Sequence, residues 1–160
     1  MKKILYILCF SPCLFYGQEQ LSLDDILTID SKNNFLKVVI ESGYSEGNTT
    51  SEKTYYGKGF KEEKSQATDW AEYTSEKEEF YFEQSDLSFV RKHGKDGVCY
   101  YDAIIADIKK QCEFLKIMNH DSKKNGDINF ATYSCPGAKF KGPIGYAQVE
   151  GNGVIQEFSK

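Results

Sequence analysis

The chain contains no HExxH helix, no paired CxxC and no GxSxG elbow. It therefore lacks the common signatures of zinc proteases, cysteine-bound zinc sites and serine hydrolases. Gly57-Lys58-Gly59 is too short for a phosphate-binding loop and lies outside a strand-loop-helix context. Excess positive charge is missing as well. The net charge of −4 falls to about −6 if Lys2 and Lys3 are removed with a leader, which argues against nucleic acid and anionic lipid surfaces as partners. Histidine is limited to His93 and His120. His120-Asp121 suggests a base with a carboxylate neighbour, but adjacent strand residues point to opposite faces. Asp24-Asp25 and Asp102 fall where helix first turns are expected, and the macrodipole accounts for acidic residues there. No cofactor motif and no metal-ligand set emerges, and no catalytic residue is assigned.

Lys2-Lys3 followed by the apolar run Ile4 to Phe15 and the small residue Gly17 is a secretory signal pattern. A run of about 12 residues is too short to cross a hydrocarbon core of ~30 Å. Cleavage near Gly17-Gln18 is expected, giving a periplasmic or secreted protein with no stable membrane insertion. Leu8 before Cys9 and Pro12 before Cys13 disfavour a lipid anchor. The expected organisation is a signal peptide over 1–17, a first repeat over 18–90 and a second over 91–160, both repeats in one compact domain.

The repeat is read from Ile26 to Val39, which aligns with Ile105 to Met118 at a spacing of 79 residues with five identities in fourteen. Thr54-Tyr55 echoes Thr132-Tyr133, and Phe60-Lys61 echoes Phe140-Lys141. Ser22-x-x-Asp25 is a relative of the capping box and opens a helix expected from Leu23 to Asn33. The β-branched stretch Phe35 to Glu41 predicts a strand, and Gly43 to Lys53 a polar link turning at Gly47-Asn48-Thr49-Thr50. Strands are expected at Thr54 to Lys58, Thr68 to Thr74 and Glu79 to Gln84, the last two joined by the hairpin Ser75 to Glu78. Asp86 to Gly97 is the linker between repeats. A helix over Asp102 to Gln111, apolar at Ile104, Ile105 and Ile108, precedes strands at Phe114 to His120, Asn129 to Cys135, Phe140 to Val149 and Val154 to Phe158. Each repeat is thus a helix plus four antiparallel strands. The predicted fold is α+β, with two helices on one face of a continuous curved sheet of about eight strands. In this order of elements the chain resembles the duplicated, saddle-shaped inhibitors of secreted β-lactamases, and the resemblance implies a concave sheet that binds a protein. It carries no residues over.

If Cys9 and Cys13 leave with the signal, Cys99, Cys112 and Cys135 remain. Cys99 and Cys112 would flank a helix at up to ~20 Å along its axis, whereas disulfide-linked Cα atoms lie within ~7 Å. Cys112 with Cys135 is the favoured pair, and three reduced buried thiols are the alternative. Aromatics are abundant, since all but four of the 11 Tyr, 11 Phe and single Trp lie beyond residue 17. Half-buried strands accommodate most of them. Strand alternation would place Lys37, Val39, Lys116 and Met118 on the sheet face away from the helices, and the match of Tyr55 to Tyr133 adds Tyr56; with Trp70, whose face the sequence does not fix, they form a candidate partner-binding surface. These readings point to an exported, non-enzymatic binding protein of inhibitor, immunity or envelope-recognition type. Its partner would be another exported or envelope protein. The alternative is a small envelope hydrolase using His93 or His120 with a carboxylate.

Overall fold

The computed structural model describes residues 20–49, 53–58, 68–84, 100–122, 126–149 and 151–158. The proposed leader, the linker with His93, and Cys99 lie outside them. Within these residues the chain forms α1 (Leu23–Leu27), α2 (Lys32–Glu41), β1 (Ser45–Thr49), β2 (Lys53–Lys58), β3 (Asp69–Thr74) and β4 (Glu79–Gln84). Then follow α3 (Tyr100–Gln111), β5 (Glu113–Ser122), β6 (Gly126–Ser134), β7 (Ile144–Val149) and β8 (Asn152–Glu157). All eight strands form one antiparallel sheet in the order β1-β2-β3-β4-β8-β7-β6-β5, with the helices on one face. Two four-strand meanders therefore meet where β4 pairs with β8.

Local chemistry fixes the helix ends. The Asp25 amide donates to the Ser22 hydroxyl and the Ser22 amide to the Asp25 carboxylate, a reciprocal capping box. The expected single helix from Leu23 to Asn33 is instead two. α1 stops after Leu27, and Ser31 caps a new helix by accepting from the Asn34 amide. The stretch Phe35 to Glu41, expected as a strand, belongs to that second helix. Phe35, Val38 and Val39 fall at helical spacing and are buried, while Ile40 is exposed. Burial of that stripe overrides the β-branched composition. The first strand is β1, inside what reads as a polar link.

The alignment of Ile26 to Val39 with Ile105 to Met118 fails with it. Phe35 is a helical core residue, whereas Phe114 is an exposed residue of β5. Four strands do follow helical segments twice, two helices the first time and one the second, but not through those residue pairs. In the second occurrence Ile104 and Ile108 of α3 are buried and Ile105 is half-buried. Tyr101 lays its ring over Gly153, where an added Cβ would stand 2.7 Å from the ring. Its hydroxyl is shared between the Ala147 and Val154 carbonyls. Glycine at 153 lets the helix approach the sheet that closely.

The main core lies between the helices and the sheet. Phe35 sits at its centre, with ring centroids 6.1 Å from Tyr56, 5.4 Å from Tyr73 and 5.8 Å from Phe82. A smaller cluster of Ile128, Phe130, Ala147, Val154 and Phe158 packs on the opposite face. No helix among the described residues is long and apolar enough to cross a membrane.

Candidate functional site

Alternation along the strands assigns each side chain to a face. On β3, Ala71 and Tyr73 are buried beneath the helices, which turns Trp70, Glu72 and Thr74 to the other side. On β4, Phe80 and Phe82 face the helices and Glu79, Tyr81 and Glu83 face away. Register carries this assignment across the sheet. Tyr55 opposes Glu72, which opposes Tyr81, which opposes Gln156. From Gln156 the row continues through Gly145 and Thr132 to Lys116.

This open face is hollow. Tyr55, Glu72 and Tyr81 from β2 to β4, and His120, Ile128 and Phe130 from β5 and β6, line one groove of about 700 Å³. Strands so far apart in the sheet share a cavity because the sheet bends toward this side. Glu79, Glu83 and Asp121 add acidic groups to the lining, and Lys53 and Lys77 basic ones. The polar groups are held in place. Lys53 Nζ lies 2.6 Å from Glu72 Oε1. Tyr81 donates its hydroxyl to Glu83 at 2.7 Å, and the Asn152 amide donates to the other oxygen of that carboxylate at 2.7 Å. Burial, reinforced by Glu83, pushes the Tyr81 phenol far above its ordinary range, so it remains a neutral donor. His120 packs edge-on against Phe130 at 6.3 Å and Phe158 at 5.9 Å. Phe158 lies over Gly145, where any Cβ would stand 2.6 Å from the ring.

The six candidate residues for this face divide evenly, Trp70 being the one whose position the sequence left open. Trp70, Lys116 and Met118 are there: Trp70 and Met118 half-buried, Lys116 exposed. Lys37 is instead on the exposed side of α2, 4.0 Å from Glu41. Val39 is fully buried under the same helix, because strand alternation does not apply to a helical segment. Tyr56 is buried on the helix side against Phe35, and its neighbour Tyr55 takes the open position. The expectation for Tyr56 rests on matching Tyr55 to Tyr133, a correspondence the fold does not contain. Tyr133 does face the helices, stacked on Tyr146 at 5.8 Å. Cys112 and Cys135 form a disulfide with Cα atoms 4.3 Å apart. The Glu-x-Tyr-x-Glu alternation from 79 to 83 was the signal for the missed groove residues on β4.

Among the described residues no group of three or more His, Cys, Asp or Glu side chains is arranged to hold a metal ion. No family model, no curated protein and no solved structure matches the chain. The resemblance to β-lactamase inhibitors thus stays one of element order.

Proposed function

We propose that the chain is an exported binding protein whose concave sheet face recognises another exported or envelope protein. The observation that carries this reading is the bent open face, whose groove gathers Tyr55 and Tyr81 around Glu72 and Glu83, each already engaged by a neighbouring side chain. Aromatic side chains at the centre of a partly desolvated surface supply most of the energy of protein recognition. Pre-paired carboxylates suit such a surface better than proton transfer. Glu72 is engaged by Lys53, and Glu83 accepts two hydrogen bonds. Export rests on the sequence of residues 1–17, and a mature protein starting at Gln18 is the corresponding expectation.

The test is affinity capture from envelope and culture fractions, followed by titration of the captured partner against variants. Tyr55→Ala and Trp70→Ala should each weaken binding by more than ~1 kcal/mol while thermal unfolding hardly moves. Unchanged binding would remove the open face from consideration. Loss of every phenotype on replacing His93 and His120, with the fold and partner binding retained, would favour the hydrolase reading instead.

A further inference from the structure

The two edges of the sheet differ. One is β1, five residues of Ser-Glu-Gly-Asn-Thr. The other is β5, ten residues long and paired only with β6 among the described residues. Phe114, Leu115 and Ile117 on β5 are 52%, 47% and 58% exposed. A long apolar edge offers unpaired backbone groups and uncovered side chains to another strand.

We infer that β5 pairs antiparallel with β5 of a second copy, about a two-fold axis through Ile117. Such an axis is perpendicular to the sheet and brings like faces together, so only residues of the same face can stand opposite each other. The register shift between Phe114 and Lys116 leaves Phe114 and Ile117 on the same, helix-side face, opposite Tyr133 and Ala131 of β6. Centring on Ile117 then sets Ile117 against itself, Phe114 against Asn119, Lys116 against Met118, and Glu113 against His120. Each Phe114 becomes the diagonal neighbour of the second copy's Ile117, within reach of an aromatic ring. Four exposed apolar side chains cover one another in this way. No two like charges stand opposite in this register. The neighbouring same-face registers are worse. Centring on Met118 sets Phe114 against Asp121, and centring on Lys116 sets that lysine against its own copy. An interface of this kind closes after two copies and joins two eight-stranded sheets, leaving both grooves open.

Light scattering and sedimentation velocity on the purified protein across the micromolar range should show a reversible dimer. Ile117→Lys places like charges on the axis and should raise the dissociation constant at least ~tenfold. Because Ile117 is exposed, the melting profile should match that of the parent at concentrations where the parent is monomeric. In a Cys99→Ser background, Ile117→Cys should cross-link two copies on mild oxidation. Asn119→Cys, which faces Phe114 rather than itself, should not. A protein that stays monomeric throughout, as it would if a strand of a different protein covered β5, overturns the inference. So does an Ile117→Lys dimer as tight as the parent, or an Asn119→Cys chain that cross-links as readily as Ile117→Cys.

Discussion

Glu157 is 3% exposed, on the helix side of β8. It accepts the amides of Lys141 and Gly142 at 3.1 and 3.2 Å. Burial raises its pKa, the two amides and Lys141 oppose the rise, and Glu79 adds to it. A carboxyl raised in the folded state contributes stability that is complete below its unfolded pKa and is lost as the pH climbs through its folded pKa. Relative to Glu157→Gln, the parent should therefore gain stability as the pH falls through the carboxylate range. Denaturant titrations at stepped pH would read this, and a constant difference would refute it. The glutamine oxygen can still accept both amides, so at neutral pH that variant should match or exceed the parent. Glu157→Ala leaves two donors unanswered and should cost ~1–3 kcal/mol for each that stays dry. None of this was legible beforehand, because the partners are backbone groups about fifteen residues away. The choice between Tyr55 and Tyr56 was open for a related reason. Two adjacent tyrosines fit either face, and only the pairing of Tyr56 with Ala71 decides.

At the scale of elements, the sequence predicts most strands closely where alternation and turns agree. Glu79 to Gln84 is recovered as expected, and Gly151, at φ 90°, turns β7 into β8. The expected strand from Phe140 begins only at Ile144. The amides of Lys141 and Gly142 go to Glu157 rather than to a ladder, and Pro143 has none to give. α2 misleads for a different reason: Val38-Val39-Ile40 has strand composition, and only the buried spacing of Phe35, Val38 and Val39 makes it helical. The disulfide joins the residue after α3 to the residue after β6, closing a loop of 23 residues. Chain-entropy arithmetic puts its contribution at about 3 kcal/mol. Reduction, or alanine at both Cys112 and Cys135, should lower the unfolding free energy by about that amount. Urea curves with and without reductant check it, and coincident curves would mean the cross-link constrains nothing.

For the molecule as a whole, two runs of helix plus four strands invite the view of two small domains, yet the contacts between them argue for one cooperative body. β4 and β8 pair along Tyr81 to Gln84, so the sheet is continuous across the join. Phe80, from the first run, packs edge-on against Phe140 of the second at 5.2 Å. The Lys139 amide donates to the Leu27 carbonyl at 2.9 Å, and Asn152 reaches Glu83 across the seam. The main core contains Leu23, Phe35 and Tyr73 together with Ile108, Tyr133 and Ile155, so neither run encloses its own apolar surface. A half-sheet released from this arrangement would expose the seam edge of β4 or β8 and half of that core, and a unit of about 70 residues has little stability to spare. Unfolding should therefore follow one transition, with coincident midpoints for tyrosine fluorescence and far-ultraviolet dichroism. Phe140 is half-buried, so Phe140→Ala should shift both signals together by less than the ~3–5 kcal/mol of a fully buried Phe, and by less again where Phe80 can move into the space. Amide exchange read by mass spectrometry should then show β2 to β4 and β6 to β8 opening with the same free energy. If the β6 to β8 amides of the Phe140→Ala protein exchanged freely while β2 to β4 stayed protected, the two runs would be separable units that merely share an edge.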